Sequence, residues 1–390
     1  MVGSIRQCSP GSWRITIELE RGPDGKRRQK SVTVRGTKKE ADRELTRLVQ
    51  EAQAGTYRTA SKMTVAEYLE YWLKNYAETN VAEKTLEGYA ETIHRYIVPA
   101  LGTVRLDKLQ PAHIQAYYTR ALRSGRIKRE GGLSARTVLH QHRLLRQALK
   151  HAVDWQFIGR NPADATKPPR PEEKDTAFLN PEQLVVLLDA AQATPLYIPI
   201  LIACATGMRR GEVLGLRWQD VDLEHCALRI CNSLVRLATC SVMKAPKTKG
   251  SKHDVTLPSG LVDALKIHKA QQDQLRADLR SAYKNHDLVV PQLDGRPRSP
   301  NGFTKAFVDL IEKLDLPRVT FHGLRHSHAT MLLVERVPIK VVSERLGHST
   351  TQITSDIYQH VLPSMEREAA DRTQDALFGG RQRSADDAGS

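Results

Sequence analysis

The sequence predicts a multidomain, mainly α chain with a small N-terminal β-sheet, a four-helix module and a mixed α+β domain toward the C-terminus. Three observations carry that expectation. The hydrophobic period switches from two to helical spacing near residue 62. A proline-rich break at 162–171 separates two textures. Beyond it, strand-forming residues over 227–257 interrupt a run of helices. The 390 residues allow two or three domains at roughly 100–200 residues each. The boundaries fall at 1–61, 62–165, 166–176 (a linker), 177–378 and 379–390 (a polar tail expected to be disordered).

In residues 1–61, Trp13, Ile15, Ile17 and Leu19 alternate with Arg14, Thr16 and Glu18, the pattern of a half-buried strand. Pro23-Asp24-Gly25-Lys26 reads as a turn, and Val32 and Val34 mark a short second strand. Thr37 and Glu40 form a capping box that opens a helix over Lys38 to Glu51. Arg27, Arg28 and Lys30 crowd the hairpin, either to meet phosphate or to guard a sheet edge against aggregation.

Residues 62–165 carry helical spacing. Thr64 and Glu67 repeat the capping box ahead of Val65, Tyr68, Leu69, Trp72 and Leu73. A second helix around Lys84–Ile97 is expected to end before Pro99. A third begins near Pro111, where the missing N–H costs nothing. The fourth starts at Ser134 and runs toward Gly159, with Arg136, His140, Arg143, Arg146 and Lys150 on its polar face. Arg126, Lys128 and Arg129 fall in a loop of one charge sign, which favours contact with a phosphate backbone over a merely solvated loop.

Composition narrows the function. Hydrophobic residues make up 40% and charged residues 26%, as in a globular chain, and the net charge of +15 fits a polyanionic partner. No apolar run approaches the ~20 residues of a membrane span, and Met1–Pro10 lacks the apolar stretch of a signal peptide, so a cytoplasmic location is expected. The five cysteines form no C-x-x-C pair and read as reduced thiols, not as a zinc site.

Three segments of the last domain carry chemistry. After the apolar stretch Leu196–Ala205, Thr206-Gly207 breaks one helix and starts another, placing Arg209 at a helix N-terminus where an anion is already favoured. In His322-Gly323-Leu324-Arg325-His326, a helix puts His322 and Arg325 within about 60° of each other. His322 and His326 also stand four apart, but the carboxylate of an H-E-x-x-H zinc motif is Gly323 here, so no metal is expected. Gly347 in Leu346-Gly347-His348 reads as a left-handed helix cap that turns His348 outward.

Together these segments, with Tyr358 ten residues after His348, resemble the tyrosine recombinases, the integrases of phages and mobile elements. The shared motifs are T-G-x-R-x-G-E (Thr206 to Glu212), H-x-L-R-H (His322 to His326), L-G-H (Leu346 to His348) and the tyrosine. The resemblance implies a catalytic set of Arg209, Lys247, His322, Arg325, His348 and Tyr358, with Lys249 the alternative hairpin lysine and Glu212 orienting Arg209 or His322. Tyr358 would attack a DNA phosphate to form a 3′-phosphotyrosine, and the lysine would protonate the leaving 5′-oxygen, without ATP, metal or other cofactor.

The resemblance further implies that 1–61 binds arm-type sites and 62–165 binds the core site of double-stranded attachment DNA, clamped with the catalytic domain. Four copies would assemble on synapsed DNA, with an excision factor or DNA-bending protein as accessory and no membrane partner. Residues 363–378 would dock on a neighbouring copy. A type IB topoisomerase shares the chemistry, but the N-terminal sheet and the H-x-x-R form speak against it. A non-catalytic DNA-binding regulator would have no need of Tyr358, and a metal nuclease would rest on the histidines alone.

Overall fold

The computed structural model describes residues 3–19, 28–53, 63–127, 129–172, 177–237, 240–244, 253–348, 350–352, 355, 370, 373, 374 and 377. The chain divides into two compact units, Met1–Glu173 and Lys174–Ser390.

The first unit opens with a three-stranded antiparallel sheet, β1 (Gly3–Ser9), β2 (Ser12–Leu19) and β3 (Arg28–Arg35), in that order. Ile15 faces Ile5 on one side and Val32 on the other. Helix α1 (Lys38–Gln53) covers the sheet and buries Leu48 against Ile15 and Ile17. Its capping box forms as expected, with the Thr37 N–H donating to Glu40 Oε2 at 2.7 Å. Strand β1 was not legible in sequence. Its residues beyond Ile5 are exposed and polar, so this edge strand shows no period-2 alternation.

Next comes α2 (Val65–Trp72), which continues through a wide π turn at Leu73–Ala77. Thr64 and Glu67 cap it reciprocally. Helix α3 (Glu83–Thr92) likewise runs through a π turn at Ile93–Ile97 into Val98–Leu101. The sequence expectation of a stop before Pro99 is thereby corrected. The Val98 N–H bonds to Ile93 five residues back, and the widened turn opens where the proline ring would strike the carbonyl four residues behind it.

Helix α4 (Pro111–Ser124) starts at the expected proline, and α5 (Ala135–Asp154) is capped by Ser134. Helix α5 ends at Asp154, short of Gly159, where Gln156 turns to φ +65°. Buried polar atoms tie the bundle together: Tyr68 OH donates to Ala148 O at 2.5 Å and Trp72 Nε1 to His151 Nδ1 at 2.7 Å. The opposite face of α5 leaves Arg136, His140, Arg143, Arg146 and Lys150 exposed.

In the second unit, α6 (Pro181–Ala191), α7 (Tyr197–Thr206), α8 (Arg210–Leu214), α9 (Ser259–Leu279), α10 (Pro300–Ile311) and α11 (Phe321–Val334) enclose a core that includes Leu187, Ile200, Leu265, Phe307 and Leu324, all fully buried. Strands β4 (Val221–Asp222), β5 (Ala227–Ile230) and β8 (His253–Thr256) form one small sheet, and β6 (Ser233–Arg236) pairs with β7 (Ser241–Lys244) as a hairpin. Helix α12 (Ile339–Leu346) packs Val342 and Leu346 on Ala329 and Leu333 of α11.

Candidate active site

The site is built where the C-terminus of α7, the start of α8, the first turns of α11 and the end of α12 meet. Helix α7 stops because Gly207 enters the left-handed region at φ +70°. No side chain fits there, since a β-carbon would stand 2.4 Å from Leu346 Cδ2 and 2.8 Å from His328 Cδ2. Two residues on, Arg209 is the extended N-cap of α8. The buried Glu212 carboxylate accepts both the Arg209 backbone N–H at 2.8 Å and its Nη1 at 2.9 Å, which fixes the direction of the guanidinium.

Thr320 caps α11, so His322 and Arg325 lie in its first turns. Arg325 is only 2% exposed. Its Nη1 donates to Gly207 O at 2.9 Å and its Nη2 to Leu346 O at 2.6 Å. Gly347 closes α12 with φ +62° as expected, and Arg209 Nη2 reaches its carbonyl at 3.5 Å. The two guanidinium groups are therefore held by adjacent carbonyls of one turn, and the next residue of that turn is His348.

Burial and neighbouring cations depress His322, His348 and Arg325. Burial first, then His326 and the cations of Arg325 and Arg209, push His322 down to about 4. Burial, then Arg325 and Arg209, push His348 down to about 4. Burial and the Arg209 charge lower even Arg325 to about 9. Both imidazoles are therefore neutral at pH 7, each able to offer one N–H and one lone pair, beside two guanidinium cations of which Arg209 is paired with Glu212. That combination suits a phosphate whose oxygens gain charge during reaction.

The structure thus gathers Arg209, Glu212, His322, Arg325 and His348. Lys247, Lys249 and Tyr358 lie outside the described residues, as do residues 363–369. His322 and His326 meet edge to face at 5.1 Å, and among the described residues no third His, Cys, Asp or Glu joins them to make a metal site.

Of the expected DNA contacts, Arg126, Arg129, Arg136 and Arg143 are exposed. Arg28 and Lys30 belong to β3, but their side chains, with Arg27 and Lys128, lie outside the description. Sequence reasoning missed a supporting layer. Arg345 Nη2 donates to Ala205 O and Thr256 O, both at 3.1 Å, and its Nε to His328 Nε2 at 3.3 Å. His328 stands two residues past the H-x-L-R-H motif, outside its spacing. Arg345 carries only the generic signal of a cation near a helix C-terminus.

Residues 177–365 match the Phage integrase family, and residues 64–122 match the phage integrase N-terminal SAM-like domain. The tyrosine recombinase XerC-like protein of Caldanaerobacter subterraneus subsp. tengcongensis is 27% identical over 385 residues, covering 94% of this chain and 96% of that protein. Among solved structures, the Tn1549 transposon integrase in complex with transposon right end DNA superposes with a TM-score of 0.67 at 21% identity, covering 80% of this chain and 99% of that one. The lambda integrase tetramer bound to a Holliday junction gives 0.52 at 19% identity over 89% of this chain and 96% of that chain. At these identities the two structures speak to the fold.

Proposed function

This chain belongs to the phage integrase family and is a tyrosine recombinase acting on DNA at specific sites, and we propose the following division of labour among its residues. Arg209 and Arg325 take the two non-bridging oxygens of the scissile phosphate and offset the charge they gain in the transition state. His348 donates a hydrogen bond to the same phosphate. His322, neutral at pH 7, accepts the proton of the Tyr358 hydroxyl.

As the Tyr358 oxygen bonds to phosphorus, the bond to the 5′-oxygen breaks. Its electron pair leaves with that oxygen, which takes a proton from Lys247 or, on the alternative reading, Lys249. The product is a 3′-phosphotyrosine and a free 5′-hydroxyl. A 5′-hydroxyl from a partner strand reverses the same steps, so rejoining needs no external energy.

The observation that supports this reading is the pair of neighbouring carbonyls, Leu346 and Gly347, that receive the two guanidinium groups. Around it we assign 62–165 to the core site, 1–61 to arm sites and 177–378 to catalysis, and we propose four copies on synapsed DNA, in keeping with the tetrameric assembly of lambda integrase on a junction. The test is a nicked suicide duplex. A covalent protein–DNA adduct is expected with the wild-type protein and none with Tyr358→Phe. An adduct that persists in the phenylalanine variant would remove Tyr358 from the scheme.

A further inference from the structure

Three consecutive carbonyls at the end of α12 each accept from a different side chain. Arg345 O takes His253 Nε2 at 2.9 Å, Leu346 O takes Arg325 Nη2 at 2.6 Å and Gly347 O takes Arg209 Nη2 at 3.5 Å. These are carbonyls that a helix C-terminus leaves open, at the negative end of its dipole. His253 also lies against Gly347. A β-carbon there would stand 2.5 Å from the imidazole Cε1 and 2.8 Å from Nδ1.

The strand that presents this ring is itself fixed. Strand β8 pairs with β5 along its length, Ile230 opposite His253 and Leu228 opposite Val255. A second bond crosses the first, because Arg345 Nη2 donates back to Thr256 O at 3.1 Å. The end of α12 is thus tied to β8 by two reciprocal bonds from side chain to backbone.

His253 Nδ1 is buried and, among the described residues, has no partner. In the neutral ring that donates from Nε2 to this carbonyl, Nδ1 is a bare acceptor. A plain aromatic ring would fill the same space without orphaning a lone pair. What the imidazole adds is the single bond to Arg345 O.

We propose that His253 is a positioning residue for DNA cleavage. It holds the Arg345 carbonyl and supports Gly347, and so sets the turn whose next two carbonyls aim Arg325 and Arg209 at the scissile phosphate. This rests on the role given to those arginines above.

The experiment is single-turnover cleavage of a suicide duplex by the full chain, on a normal phosphate and on a scissile methylphosphonate that lacks one charged oxygen. His253→Ala is expected to cleave about 10–100-fold more slowly than wild type, with DNA affinity within about twofold, because misaiming by a fraction of an ångström weakens the transition state more than binding. His253→Gln, whose amide can donate to Arg345 O, is expected to recover to within about threefold of wild type.

On the methylphosphonate the gap between His253→Ala and wild type is expected to shrink at least about fivefold, since less charge there depends on the guanidinium groups. A merely structural loss slows both substrates alike, and an undiminished gap overturns the proposal. If His253→Ala fails to fold, His253→Phe and His253→Gln decide. The phenylalanine keeps the ring over Gly347 without a donor, so the glutamine variant should be faster, and equal rates overturn the proposal. Wild-type cleavage by a folded His253→Ala, with Arg209→Ala and Arg325→Ala inert, overturns this proposal alone. Wild-type cleavage by the arginine variants overturns the reading beneath it as well.

Discussion

The guanidinium of Arg325 donates to the carbonyl of Gly207 at 2.9 Å, across 118 positions of sequence, and with its other arm to Leu346 at 2.6 Å. It therefore holds the α7–α8 turn that delivers Arg209. Arg325→Ala is expected to lose at least about 10²–10³-fold in cleavage and to cost about 1–3 kcal/mol of stability for each buried carbonyl left unpaired. Arg325→Lys should restore part of the charge but not the fork, and should remain far below wild type. Adduct yield on a suicide duplex and a urea midpoint measure the two effects. Near-normal cleavage by Arg325→Ala would discredit the assignment.

Gly207 and Gly88 make a matched pair. At Gly207 an alanine meets a left-handed φ and the Leu346 and His328 side chains, and the strain alone is expected to cost about 1–2 kcal/mol. Gly88 lies inside α3, and a β-carbon there meets nothing within 4 Å. Gly88→Ala should stabilise by about 0.5–1 kcal/mol through the unfolded chain and helix propensity. Opposite shifts of the melting temperature are the expected result.

How much of this site could be read in sequence depends on what each residue answers to. Arg209, Glu212, His322, Arg325 and Gly347 answer to local rules: a helix break, a capping carboxylate three residues on, a spacing of three within a helix, a glycine at a helix end. His253 and Arg345 answer to nothing local. Their partners lie 92 and 89 residues away, and only the docking of α12 on β8 brings them together. The same division holds for the fold. The capping boxes at Thr37 and Thr64 were legible, whereas β1 is defined by pairing with β2 alone, and the helix through Pro99 depends on a π turn with no motif of its own.

The depressed histidines fix a pH dependence. His322, His348 and His328 all titrate near 4 in the folded protein, below the ordinary imidazole range near 6.5, chiefly through burial and neighbouring cations. Between those values the unfolded chain binds more protons than the folded one, so stability rises with pH across about pH 4 to 6.5 and levels off above. It is lost as pH falls through the folded values. Urea midpoints at pH 4.5, 5.5 and 7 should show the rise, and His322→Gln should flatten it. A midpoint that falls over this window would contradict the depressed values.

Residues 1–60 can be removed with a defined expectation. Ile15, Ile17 and Leu48 make a core of their own, distinct from the cluster around Trp72. The truncated protein should fold, cleave a core-site duplex at near the full-length rate, and integrate poorly on complete attachment DNA. Unchanged integration would remove the arm-site assignment.

Arg136 and Arg143 test the DNA-facing role of α5. They stand two helical turns apart on its exposed face, about 10 Å along the axis, which matches roughly three phosphate steps of a strand. If each neutralises one phosphate, each alanine substitution should lower the slope of log affinity against log salt by about 0.9, equally on cognate and unrelated duplexes. Arg146, on the same helix, already pairs with Asp164 at 2.6 Å. To reach a phosphate it must first give up that surface pair, so Arg146→Ala should change the slope less. A base-reading role would look different: the loss would concentrate on the cognate duplex and leave the salt slope in place. Titrations of the three variants at four salt concentrations separate these outcomes, and slopes unchanged from wild type in all three would take α5 off the phosphate backbone.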